Sequence, residues 1–181
     1  MKKLYELVTQ ILFNPKAAVI SLKSEEISIE KIFREYLLIL CVIPAVATFL
    51  GWWGSYQFSF GKSFLISLIF YFFIVFGIWL TGYIASAVSP TFGGIKSPID
   101  GLKISFIAWT PYLISSILNI LPRISILTVF AVFYGIYLFY LASEEIVRIP
   151  KEKKTPFVLS IGVLMLLIWY IGRIIYSWGR V

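Results

Sequence analysis

Five apolar stretches, four without any charge and a fifth with one arginine near its end, constrain this chain more than any other feature. A bilayer crossing by a helix takes about 20 apolar residues, with a range of roughly 17–25. The first stretch runs from Tyr36 to about Gly54. The second lies between Lys62 and Lys96 and is centred on Phe64–Val88. The third covers Ile104–Leu121, the fourth Ile124–Ala142, and the fifth about Phe157–Trp178, with Arg173 near its end. The whole chain is 60% hydrophobic and 14% charged. A soluble domain has about 45–50% apolar and about 25% charged residues. A chain of 181 residues cannot hide that excess in one core, so most of it has lipid as its solvent. This excludes a soluble enzyme, a disordered regulator and a secreted disulfide scaffold.

The stretches read as helices. Strands of a membrane barrel alternate in polarity over about 10 residues, whereas these runs are continuous, and a helix satisfies its own backbone hydrogen bonds as hydrocarbon requires. The interval from Lys62 to Lys96 is too short for two crossings and a turn, and Ser89-Pro90 with Gly93-Gly94 ends its single helix. Leu121-Pro122-Arg123 is so short a connection that the third and fourth spans form an antiparallel hairpin. Small residues four apart (Gly77 and Thr81, Ala85 and Ser89, Ala131 and Gly135) mark helix contacts, mostly within the chain. The fold class is therefore all-α, a polytopic membrane protein with five transmembrane helices.

Residues 1–35 form a separate region of interfacial helices, and residues 36–178 the five-helix transmembrane domain. In Met1–Phe13, Leu4, Leu7, Val8, Ile11 and Leu12 recur at helical spacing, as in an amphipathic helix lying in the interface or packing on the end of the bundle. Asn14-Pro15 breaks it, and Pro15 opens a second short helix through Leu22. Ser28 is an N-cap for a helix that begins at Ile29 and runs into the first span. Lys2 and Lys3 are followed by Glu6, Thr9 and Gln10 instead of a continuous apolar core, so a signal peptide is not expected.

Five crossings put the two ends on opposite sides. One side carries 12 basic residues, in the N-terminal segment, at Lys96 and Lys103, and from Arg148 to Lys154. The other carries 4, namely Lys62, Arg123, Arg173 and Arg180. The positive-inside rule places the N-terminus in the cytoplasm and the C-terminus outside a cell membrane. The net charge of +7 thus reflects topology and anionic lipid, and no nucleic-acid partner is expected. All nine acidic residues fall on the basic side and none inside a span. Proton relays and cation-coupled transporters use intramembrane Asp, Glu or His, and histidine is absent altogether. The single cysteine, Cys41, allows no internal disulfide and no Cys/His metal cluster, so no cofactor is expected.

Several residues are candidate kink or polar-site positions. Pro44 and Pro111 lie inside the first and third spans, where each removes a backbone hydrogen bond; they read as fixed kinks, or as hinges. Asp100 and Lys103 open the third span. They form a small polar site with Trp109 and Tyr112 behind it, or Asp100 simply favours the helix N-terminus. Arg173 snorkels to the outer interface beside Tyr176 and Trp178, or faces the bundle as an anion site. Trp52, Trp53 and Tyr56 read as an aromatic belt. Tyr112, Ser115, Asn119 and Arg173 would line a polar cavity if one lay between the spans.

The order of Asn14-Pro15, Ser24-Glu25-Glu26-Ile27-Ser28, Tyr36-Leu37-Leu38, Ile43-Pro44-Ala45-Val46-Ala47, Pro98-Ile99-Asp100-Gly101-Leu102, Trp109-Thr110-Pro111-Tyr112 and the Tyr134–Leu141 run resembles the Yip1-domain family, in particular its small prokaryotic inner-membrane members. The resemblance implies five spans and a cytoplasmic N-terminus. Eukaryotic members act in vesicle traffic and associate with small GTPases. Their Asp-Leu-Tyr-Gly-Pro motif before the first span is absent here, which argues against a GTPase partner.

The function expected from these features is a non-enzymatic membrane scaffold that organises lipids or partner proteins, as a homo-oligomer or with other membrane proteins. A small transporter or channel is the alternative, motivated by Pro44, Pro111 and the small-residue faces. A lipid enzyme lacks a nucleophile and base pair.

Overall fold

A computed structural model describes residues 2–24, 28–55, 58–121 and 123–177. Tyr56, Pro122, Trp178 and Arg180, which enter the expectations above, lie outside them, as do Glu25, Glu26 and Ile27. Among the described residues every regular element is helical. Two short helices come first, α1 (Lys2–Phe13) and α2 (Pro15–Ser24). The five spans follow: α3 (Ile29–Gly54), α4 (Phe60–Phe92), α5 (Pro98–Ile120), α6 (Ser125–Glu145) and α7 (Lys151–Ser177).

The junctions follow local chemistry. Asn14 ends α1, and its Oδ1 accepts the Ala17 N–H at 3.4 Å, with Pro15 opening α2. Ser28 caps α3 through the Lys31 N–H at 3.2 Å, as its position predicts. Gly93, at φ 83°, closes α4 after Ser89-Pro90, a left-handed position that glycine fills without steric cost. The spans reach beyond their uncharged cores. α5 starts at Pro98, six residues before Ile104, because Ser97 accepts the Asp100 N–H, Pro98 suits the first turn and the Asp100 carboxylate favours the N-terminus.

The two internal prolines behave differently. The regular ladder of α3 is interrupted at Cys41, three residues before Pro44, where the missing donor and the pyrrolidine ring disturb the preceding turn. Farther back α3 widens to a π-helical turn over Ile32–Leu37, with the Leu38 N–H reaching the Phe33 carbonyl, a feature no residue pattern announced. α5 passes Pro111 without interruption and tightens only later, over Ser116–Ile120.

The arrangement has one helix at its centre. α5 is the least apolar of the five spans, yet every residue from Gly101 to Leu113 is buried. It packs against α3, α4 and α6, and α7 closes the bundle against α4 and α6. The outer helices are apolar on their exposed faces too. On α4, Leu65, Leu68, Phe72, Phe76, Trp79 and Tyr83 face outward along one stripe, opposite Phe70, Ile74, Gly77, Ile78 and Ala85. A surface this apolar is stable only against hydrocarbon.

The bundle has two chemically distinct ends. The basic end gathers α1, α2, the α4–α5 connection and the α6–α7 connection, where the Ile95 N–H reaches the Val147 carbonyl at 3.0 Å. The far end gathers the end of α3, the α5–α6 connection and the end of α7. Trp52 does not join the aromatic belt expected of it. It is fully buried, its ring 5.5 Å from that of Tyr176 and 5.1 Å from that of Phe58, while its neighbour Trp53 is half exposed. Successive helical residues point about 100° apart, so one tryptophan faces the bundle and the next the lipid.

Candidate functional site

Three polar groupings punctuate the apolar bundle. The first runs along the central helix. Gly101 and Gly82 meet where α5 crosses α4, so closely that a Cβ on Gly101 would strike the Gly82 carbonyl oxygen. Deeper in, the Ser105 hydroxyl donates to the Ile78 carbonyl at 2.7 Å, and the Trp109 Nε1–H donates to the Thr81 hydroxyl at 3.1 Å. The Thr81 hydroxyl in turn donates to the Gly77 carbonyl at 2.8 Å. On the opposite side Gly135 of α6 rests on the Ala108 carbonyl. The small pairs Gly77/Thr81 and Ala85/Ser89 therefore lie inside the molecule, as expected of helix contacts.

This geometry separates residues that the sequence grouped together. Asp100 and Lys103 sit at the basic end and do not share a site with Trp109 and Tyr112. The rise of 1.5 Å per residue puts Tyr112 about 13 Å beyond Lys103 along the helix. Trp109 and Tyr112 pack edge-to-face at 5.5 Å, and both are buried. Asp100 sits in the first turn of α5, which agrees with its reading as a partner of the helix dipole.

The second grouping is at the far end. The Tyr176 hydroxyl donates to the Asn119 carbonyl oxygen at 2.8 Å, and Gly51 fits beneath both. Arg173 lies over the Tyr176 ring at 5.1 Å and donates to the Ser125 hydroxyl at 2.7 Å. Arg173 is therefore half-buried, turned to the start of α6 by Ser125 and lying beside Tyr176. Asn119 and Arg173 are thus brought together, through Tyr176, by hydrogen bonds and rings that tie α3, α5, α6 and α7. Tyr112 and Asn119 are buried, and Ser115 and Arg173 are half-buried.

The third grouping was not singled out from the sequence, and it is the best candidate for recognition. α1 and α2 fold back onto the basic end and bury Ile11, Ala18, Val19 and Leu22. The Tyr134 hydroxyl holds the Leu12 carbonyl at 3.0 Å, and Lys23 pairs with Glu145 at 2.8 Å. That ion pair is half exposed and is worth about 0.2–1 kcal/mol. Ile11, Val19 and Leu22 are each worth roughly 1.5–3 kcal/mol against water, so apolar packing dominates the docking. Beside it lies a cleft of about 310 Å³ between α2 and the ends of α6 and α7, walled by Lys16, Glu144, Glu145 and Lys154. The Lys154 side chain is only 8% exposed. Its ammonium is held by Glu144 at 3.0 Å and by the Tyr140 ring at 4.0 Å, partners that a buried charge requires.

The signal for this cleft was present but spread out. Glu144-Glu145 follows directly on the fourth apolar stretch, and Lys151, Lys153 and Lys154 precede the fifth. A tight antiparallel pair brings such residues face to face. Lys16 and Lys23, seven apart on α2, share one helical face. As single residues they read as a topology signal, or as a general attraction to anionic lipid.

The comparisons with known proteins bear on the chain as a whole. The model of the Yip1 domain matches residues 9–172. No curated protein and no solved structure matches.

Proposed function

This chain belongs to the Yip1-domain family of membrane proteins, and we propose that it acts without catalysis, as a scaffold that organises lipids or partner proteins around a fixed helical bundle. The observation that carries this reading is the state of α5. A solute passage needs a polar route that water can enter and a helix that can shift. Here the central helix is buried from Gly101 through Leu113, is pinned to α4 by Ser105 and Trp109, and meets both neighbours at glycine contacts. The acidic residues within the spans (Glu30, Glu35, Asp100, Glu144, Glu145 and Glu152) all lie within the first two turns or the last turn and none in the uncharged middle, which adds to this. The surface, by contrast, offers wide apolar faces on α4 and α6 to lipid, to a second copy or to other membrane proteins. The basic end faces the cytoplasm of a cell membrane in this reading, by the excess of Lys and Arg it carries.

Reconstitution tests it. Liposomes containing the protein are expected to pass potassium, sodium and small osmolytes no faster than protein-free liposomes. A photo-crosslinking group at Phe72 or Phe76, on the exposed stripe of α4, is expected to capture a second copy or another membrane protein. Saturable flux contradicts the scaffold and restores the transporter. Monomer alone at both positions contradicts an organiser of proteins.

A further inference from the structure

We propose that the cleft between α2 and the basic ends of α6 and α7 holds the headgroup of an aminophospholipid, with its phosphodiester at Lys16 and its primary ammonium at the carboxylate of Glu145, since Glu144 is already paired with Lys154 at 3.0 Å and Lys151 at 3.8 Å. This goes beyond the scaffold and does not depend on it. It requires only that the bundle sit in a membrane.

The charges in the cleft are mixed and unevenly satisfied. Lys23 and Lys16 point from the same face of α2, but Lys23 is paired with Glu145 while Lys16 has no ion pair among the described residues. Glu145 receives Lys23 on one oxygen, Oε2. An ionised carboxylate has about four acceptor positions, so its other oxygen remains open to a donor. The cleft therefore presents one unpaired cation and spare carboxylate capacity at once. A ligand that carries a phosphate and an N–H-bearing ammonium a few bonds apart matches both. Its volume of about 310 Å³ is that of a small ligand site.

The surroundings match a lipid. The cleft lies where charged residues resume at the end of α6, the level at which headgroups sit. Its walls turn apolar through Val19, Ile20 and Leu141, and Ile20 is 62% exposed. From Leu141 an exposed stripe continues down α6 through Tyr137 and Phe133 at steps of four residues, a track for acyl chains. Two other headgroup classes fit worse. A phosphatidylglycerol satisfies Lys16 but has no ammonium to offer the second oxygen of Glu145. A choline headgroup has no N–H to donate, and the Tyr140 face that would receive a quaternary ammonium is occupied by Lys154.

The test is native mass spectrometry of the full chain after equilibration in vesicles of equal parts phosphatidylethanolamine, phosphatidylcholine and phosphatidylglycerol with identical acyl chains. Phosphatidylethanolamine is expected to be retained roughly tenfold over either competitor, the effect of one charge-assisted hydrogen bond. Glu145→Gln is expected to bring the ratio close to one, Lys16→Ala to lower the retention of all three lipids, because it removes the contact to the phosphodiester they share, and Lys96→Ala, at an exposed position outside the cleft, to leave both unchanged. Lys16 is exposed and has no ion pair among the described residues, so its variant keeps the fold, which the thermal midpoint in phosphatidylcholine alone verifies. Equal retention of the three lipids, a preference for phosphatidylglycerol, a preference untouched by Glu145→Gln, or a total retention untouched by Lys16→Ala overturns the assignment and leaves a solvated charge cluster. Soluble glycerophosphoethanolamine is expected to compete poorly. Competition at equal concentration would reassign the cleft to a soluble ester and overturn the lipid as its occupant.

Discussion

Replacing Gly101 by valine is expected to abolish the native bundle or to leave it barely stable. The added Cβ would meet the Gly82 carbonyl oxygen and lie 2.8 Å from the Ser86 Cβ. The first of these is backbone, so no rotamer change can make room. α4 and α5 would have to separate along the contact that seats the central helix. Inserting methyl groups into a packed core costs about 1–3 kcal/mol and occasionally more, and three carbons against backbone lie at the upper end. Gly61→Val is the matched control, because a Cβ there meets nothing within 4 Å. Thermal unfolding in detergent, with the monodisperse fraction after size exclusion, reads the difference. Equal midpoints for the two variants would mean that α4 and α5 do not cross at Gly82 and Gly101.

Trp109→Ala is the second large effect, expected to cost about 3–5 kcal/mol. Trp109 is fully buried at the middle of α5 and contacts Tyr112 edge-to-face. Lipid cannot follow into the space it vacates, so dispersion contacts are lost outright. Trp109→Phe separates packing from polarity. It keeps most of the ring and removes the donor to Thr81. Thr81 still donates to Gly77, so no polar group is stranded. Interhelical hydrogen bonds in membranes average about 0.6 kcal/mol and reach about 1.7. The phenylalanine variant should therefore lose well under half of what alanine loses in an equilibrium unfolding series. If the two variants lose the same amount, the hydrogen bond to Thr81 matters more than the packing does, and the view of α5 as a close-packed axis fails.

What could be read beforehand depended on the kind of signal each residue carries. The spans were legible because charge is costly in hydrocarbon, and its absence is visible residue by residue. The helix starts at Ser28 and Ile29, and the stop at Ser89-Pro90 and Gly93, were legible because capping and φ preferences act within a few residues. Which face turns inward was not legible. In a soluble helix the polar face reveals the buried one, but α4 is apolar all round, so its sequence is silent on orientation. The same silence hid Trp52 from Trp53 and left Arg173 with two readings. The low apolarity of α5 was the one available clue to its central place, since a span that carries Lys103, Ser105, Thr110 and Asn119 gains by being shielded from lipid. The cleft at the basic end joins Lys23 to Glu145, 122 positions apart, and no local pattern carries such a pairing.

Cysteine accessibility along α5 tests the central claim most directly. The native thiol is replaced first by Cys41→Ala, and single cysteines are placed at Ile107, Tyr112 and Ser116, all buried, and at Lys96 and Ser59, both exposed at opposite ends of the bundle. A small water-soluble maleimide is applied to sealed vesicles, from outside and then from both sides. The account predicts labelling of the Lys96 variant from one side only and of the Ser59 variant from the other only. None of the three α5 positions should be labelled until the protein is unfolded. Labelling at Tyr112 or Ser116 in the folded protein would reveal water along the central helix, and labelling of Lys96 and Ser59 variants from the same side would contradict the crossings themselves.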